Sequence, residues 1–156
     1  MLTIGTLMAE PSTRAVHAAI ENLQRLTDLF QARRAQLAVD AGLTEQQWEV
    51  LEQIATDHFM PSMFARRRAS SAPAVSRLIR QLLDKRLVSA SAHEHDGRQR
   101  RYVLTAKGKR TLDGLRADRQ TAIETIWASL DPRALATFTA VSAELVRRIE
   151  AYADAS

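Results

Sequence analysis

Between Ser12 and Asp40 nothing interrupts the chain: Val16, Ala19, Leu23, Leu26, Phe30 and Leu37 recur at three- and four-residue intervals. That spacing puts them on one face of a single helix. Ser12 or Thr13 can cap its start, and Gly42 ends it. A helix of nearly thirty residues spans about 45 Å at about 1.5 Å per residue, more than one small domain covers, so its apolar stripe needs a partner chain.

The segments that follow are shorter. Thr44-Glu45-Gln46-Gln47 is a capping box that opens a second helix, on which Trp48, Leu51 and Ile54 share a face and which stops near Asp57. Pro61 starts a short helix from Ser62 to about Arg68. After Ala69-Ser70, Ser71 caps a further helix with Pro73 in its first turn. That helix turns Val75, Leu78, Ile79 and Leu82 inward and Ser76, Arg77, Arg80, Gln81 and Asp84 outward. Val88–His93 and Arg100–Thr105 read as two strands joined by a tip that contains the turn dipeptide Asp96-Gly97. Thr105 caps a long helix through Leu112, Leu115, Ile123, Ile126 and Leu130. Asp131-Pro132 starts another through Leu135, Phe138, Leu145, Ile149 and Tyr152. The fold class is mostly α with a small β-hairpin wing: residues 43–105 form a winged helix-turn-helix, and residues 1–42 and 106–156 supply dimerisation helices to one intertwined domain.

Charge singles out the middle of the chain. Between Ala65 and Arg110 lie 13 Lys and Arg against 3 Asp and Glu, a local charge of +10 in a chain of net charge +4, so the rest carries −6. Cations clustered in a folded segment are the electrostatic footprint of phosphate contacts. A helix-turn-helix needs a small residue where its helices cross, a small residue in the turn and apolar anchors on the second helix. Ala65, Ala69, Val75 and Leu78 meet those needs in order. Arg98, Arg100 and Arg101 sit at or beyond the hairpin tip, with Asp96 placed to orient Arg98 toward a minor groove, where negative potential is greatest.

The run from Leu43 to Lys109 resembles the MarR family of bacterial regulators. The most specific part is the tip Asp96-Gly97-Arg98 followed by Tyr102-Val103-Leu104-Thr105-Ala106-Lys107-Gly108, which is similar to the family's wing and its Leu-Thr-x-x-Gly ending. Ser71-Ala72-Pro73-Ala74-Val75-Ser76-Arg77-Leu78 resembles the start of its recognition helix, and Leu83-Asp84-Lys85-Arg86-Leu87-Val88 the exit into the wing. The resemblance implies a triangular dimer with two recognition helices in successive major grooves, wings in minor grooves, and often a small-molecule site between the DNA-binding and dimerisation parts. The family usually has apolar residues where this chain has Arg68 and Ser70. Either the packing behind the recognition helix differs, or these side chains turn outward toward phosphate.

The expected function is therefore a sequence-specific transcriptional regulator, a repressor, that binds a palindromic operator in double-stranded DNA as a homodimer. The DNA-contacting residues would be Arg67, Arg68, Ser71, Ala72, Ser76, Arg77, Arg80, Asp96, Arg98 and Arg100. The alternative is a nucleoid-associated protein that holds any duplex on the same basic face. An aromatic or anionic small molecule would be the effector, with His17 and Trp48 as candidates to line its pocket. With no cysteine, a thiol switch, a thiolate metal site and a disulfide are excluded. His93 and His95 lie on one side of a strand at metal-compatible spacing but lack a clear third ligand, so no metal and no cofactor is expected. There is no glycine-rich phosphate loop and no Ser/His/Asp constellation, which argues against an enzyme. Met1 to Met8 lacks a basic n-region, and no stretch is long enough to span a bilayer, so a cytoplasmic location is expected.

Overall fold

The computed structural model describes residues 10–56, 58–92 and 100–155. In chain order these residues form α1 (Thr13–Asp40), α2 (Glu45–Ile54), α3 (Pro61–Arg67), α4 (Ala72–Asp84), β1 (Val88–Ala92), β2 (Arg100–Leu104), α5 (Ala106–Trp127) and α6 (Pro132–Asp154).

Local chemistry fixes the helix starts. Ser12 Oγ accepts from the Ala15 amide at 3.2 Å, and Asp131 Oδ1 from the Arg133 amide at 2.9 Å. At α2 the capping box is complete: the Gln47 amide donates to Thr44 Oγ1 and the Thr44 amide to Gln47 Oε1, both at 3.1 Å. The end of α1 is a Schellman turn. Gly42 takes φ +70, its amide donates to Val39 O at 2.9 Å, and the Leu43 amide donates to Ala38 O at 2.8 Å.

α2 is the hub of the core. Trp48, Val50, Leu51 and Ile54 are buried, as are Leu37, Ala38 and Leu43 around the end of α1, Phe64 and Ala65 on α3, Val75, Ile79 and Leu82 on α4, and Leu87, Val88 and Leu112. Each fully buried leucine or isoleucine contributes about 2 kcal/mol of transfer free energy. Gln47 is the buried polar residue of this core; beyond its capping role it donates Nε2–H to Gln81 Oε1 at 2.9 Å, tying α2 to α4. Among the described residues no buried side-chain nitrogen or oxygen lacks a hydrogen-bond partner. Leu78 is half-buried, at the edge of the inward face of α4.

β1 and β2 pair antiparallel, from Val88 opposite Leu104 to Ala92 opposite Arg100. The chain divides into two compact units, one up to Leu112 and one from Asp113, and the boundary falls inside α5. In the second unit α6 has no buried residue, and Phe138, Val141, Val146 and Ile149 are exposed. No helix of the described residues is long and apolar enough to cross a membrane.

Candidate nucleic-acid interface

The interface is built by two tight chain reversals on either side of α4. α3 ends in a second Schellman turn, with Ala69 at φ 46, its amide on Arg66 O at 3.2 Å and the Ser70 amide on Ala65 O at 2.9 Å. Ser71 Oγ then accepts from the Ala74 amide at 3.2 Å and starts α4, with Pro73 in the first turn, where its missing N–H costs nothing. Val75, Ile79 and Leu82 anchor the inner face of α4, so its outer face carries Ser76, Arg77 and Arg80, all exposed. Ser71 and Ala72 are exposed at its N-terminal end. All five therefore lie on one element whose position the core sets.

α4 ends in a third Schellman turn. Here Arg86 takes φ 57, its amide bonds Leu83 O at 2.9 Å, and the Leu87 amide bonds Leu82 O at 3.0 Å. This turn is locked by the start of α5. The Thr105 amide donates to Leu87 O at 3.0 Å, Thr105 Oγ1 donates to Arg86 O at 2.7 Å, and the same hydroxyl accepts from the Gly108 amide at 3.0 Å. A Cβ on Gly108 would lie 2.0 Å from Leu87 O, so no other residue fits at this approach. The Leu-Thr-x-x-Gly spacing thus has a physical cause: the threonine clasps the exit of α4, and the glycine lets the helix come against that backbone. Two lysines of the basic segment are used structurally as well. Lys85 Nζ donates to Gly42 O at 2.8 Å, and Lys107 Nζ donates to Lys85 O at 3.0 Å.

Arg100 is exposed on β2 opposite Ala92, at the tip end of the hairpin. Asp96 and Arg98, expected to read a minor groove, lie outside the described residues, as do His93 and His95. The middle of the hairpin is fastened to the helix-turn-helix by rings: Phe59 lies 5.8 Å from Phe64 of α3 and 6.3 Å, edge to face, from Tyr102 of β2.

Arg67 and Arg68 do not stand free beside α4. Arg67 Nη2 donates to Gln53 Oε1 at 2.8 Å, and Arg68 is ion-paired with Glu49, both partners being on α2. Of the two apolar positions that this chain fills with polar residues, Arg68 thus turns back to α2, and Ser70 is exposed. Sequence reasoning missed these partners, although Glu49 and Gln53 stand one turn apart on α2 with nothing else to explain them. Trp48 is a core residue, 1% exposed; its Nε1–H donates to Glu52 Oε1 at 3.3 Å, and the Arg34 guanidinium lies 4.3 Å from its ring centroid. His17 is exposed on α1. Among the described residues no three His, Asp or Glu side chains are grouped to hold a metal ion.

The sequence profile of the MarR family matches residues 41–99, the stretch from the end of α1 into the hairpin. No curated protein gives a significant match. Among solved structures, a MarR family transcription regulator superposes with a TM-score of 0.79 at 18% identity, covering 92% of this chain and 96% of its own. MarR of Staphylococcus aureus in complex with salicylate and kanamycin gives 0.70 at 16%, covering 88% and 93%. The MepR–DNA complex of the same organism gives 0.62 at 16%, covering 81% and 93%. Residues 41–99 match the model of the MarR family, and the chain has the fold of MarR-family transcription regulators.

Proposed function

We propose that this chain is a DNA-binding transcription regulator that acts as a homodimer on a palindromic operator, as a repressor released by a small aromatic or anionic effector. The observation that carries the reading is the division of α4: Val75, Ile79 and Leu82 are buried, while Ser76, Arg77 and Arg80 stand exposed on the other side. A helix held from behind with polar and cationic side chains outward suits the major groove, where all four base pairs present distinct donors and acceptors. Ser71 and Ala72 would meet phosphate at its N-terminal end, and Arg100 would follow the backbone from the hairpin. The fold-mate MepR was solved on DNA, which supports this assignment of partner.

The exposed apolar stripes of α1 and α6 support a second copy as their cover, and two copies imply two half-sites. Salicylate, bound to the Staphylococcus aureus relative, is an aromatic anion and supports the effector class. Repression is the simplest outcome of occupying an operator.

Selection of bound duplexes from a random library should return a two-fold symmetric motif. Arg77→Ala should then lower affinity and relax preference at the position it reads by about 1–3 kcal/mol, measured by anisotropy at one fixed salt concentration. Equal affinity for selected and random duplexes would favour the nucleoid-type alternative.

A further inference from the structure

Within the basic segment the charge of Arg68 is already answered. Arg68, the residue that closes α3, is ion-paired with Glu49 of α2; the arginine side chain is 58% exposed and the glutamate only 22%. Beside it Arg67 bonds Gln53, one turn further along α2. Two successive arginines are thus drawn back onto α2 at a point three residues before Ser71, where α4 starts.

We propose that Glu49 is a brake on DNA affinity: it competes with phosphate for Arg68 and keeps that charge out of the DNA-binding surface. This rests on the reading of α4 and its surroundings as that surface. An isolated exposed pair would be too weak to resist a phosphate. Glu49 is different because most of its side chain is covered, so moving Arg68 to DNA would leave a poorly hydrated carboxylate unpaired beside a polyanion. The neighbouring Arg67–Gln53 bond keeps the seam between α2 and α3 closed around the pair. With the carboxylate removed, nothing holds the guanidinium back, and its exposure leaves it able to swing toward the backbone. Each phosphate newly neutralised steepens the salt dependence of binding by about 0.9 in the logarithmic slope.

The test measures affinity for one duplex from about 50 to 200 mM salt for wild type, Glu49→Gln, Glu49→Gln/Arg68→Gln, Glu45→Gln and Arg77→Ala, with circular dichroism confirming helix content. Glu49→Gln should bind more tightly and with a slope steeper by about 0.9, so that its advantage shrinks about threefold across that range. The double variant should return to the wild-type slope. Glu45→Gln, which removes an equal charge at the start of α2, where Arg34 lies 3.5 Å away, should leave the slope unchanged. A Glu49→Gln slope equal to wild type, or a double variant flatter than wild type, overturns the proposal, the latter because Arg68 would then touch phosphate in the native complex. If Glu49→Gln loses helix, Glu49→Ala takes its place: a slope steeper by about 0.9 supports the brake and a wild-type slope overturns it. If wild type binds no duplex, the DNA reading itself falls and the brake with it. If wild type binds and Arg77→Ala weakens it while Glu49→Gln changes nothing, only the brake falls.

Discussion

Up to Leu112 the chain closes on itself, and along α6 it does not. In the first unit Trp48, Leu51 and Leu82 are at most 1% exposed and every buried polar side chain among the described residues is bonded. In the second, α6 buries nothing, and Val141 and Ile149 stay 55% and 65% exposed. α1 shows both conditions in one helix: Leu37 and Ala38 near its end are buried, whereas Val16, Ile20, Leu23, Leu26 and Leu29 are exposed. Apolar residues recur at helical spacing in all these helices. What separates them is whether the chain supplies a partner, so a regular stripe predicts burial without saying by whom. The core around α2 positions the side chains of the winged helix-turn-helix, while the apolar stripes of α6 and of most of α1 stay exposed, which is the basis for the proposed second copy.

The strongest way to break the closed unit is at the junction of α4 and α5. Gly108→Ala places a methyl group 2.0 Å from Leu87 O, and the backbone must move and loosen the Thr105 clasp. A loss of about 3 kcal/mol in denaturant-induced unfolding is expected, at the upper end for overpacking because the obstacle is main chain. A stability within about 0.5 kcal/mol of wild type would show that the approach is not tight.

The open unit should break differently. Wild type should sediment as a dimer at micromolar concentration, and Ile149→Glu should weaken self-association by about 2–3 kcal/mol, or roughly 30- to 150-fold in dissociation constant, by burying an unpaired charge. Helix content of the first unit should persist. A wild-type monomer, or a variant that still pairs as tightly, would mean that the stripe of α6 is not covered by a second copy.

A smaller effect lies in the turn of the helix-turn-helix itself. Ala69 holds φ 46, a left-handed conformation in which glycine carries no Cβ penalty. Ala69→Gly should therefore stabilise the protein by about 0.5–1 kcal/mol, the conformational gain exceeding the entropy that glycine adds to the unfolded chain. A lower melting temperature would mean that the Ala69 methyl group contributes packing that offsets its strain.

These turns mark the limit of what the sequence disclosed. The caps at Ser12, Thr44, Ser71 and Asp131 were legible because each needs only its own side chain and an amide two or three residues on. Gly42 was legible because glycine favours the conformation it adopts. Ala69 and Arg86 adopt the left-handed region without a residue type that announces it, so the end near Arg68 could be placed from the sequence but the geometry of these two turns could not. The outward set on α4 followed from helical period. The diversion of Arg67 and Arg68 to α2 did not, since their partners lie 14 and 19 positions away in sequence and local pattern carries no such distance.

The smallest expected effect tests the surface of the open unit. On α6, Glu144 bonds Arg147, and Arg148 Nε donates to Glu144 Oε1 at 2.6 Å, one turn along and with the acid on the N-terminal side, the favourable order. The two arginines hold the carboxyl at a pKa of about 2, below its ordinary 4.5. A folded-state value lowered in this way gives stability that is fully present above the unfolded value and lost as pH falls through the folded one, here between pH 4.5 and about 2. Glu144 is exposed, so solvent and salt screen the pairs and the increment is slight. Comparing wild type with Glu144→Gln in low salt, the melting-temperature difference should be constant above pH 5, shrink steadily on acidification toward pH 2, and vanish in high salt. A carboxyl resonance of Glu144 that titrates near 4.5 in the folded protein would show instead that the pairs do not persist in solution. The exposed face of α6 would then be as open in its charges as in its apolar stripe.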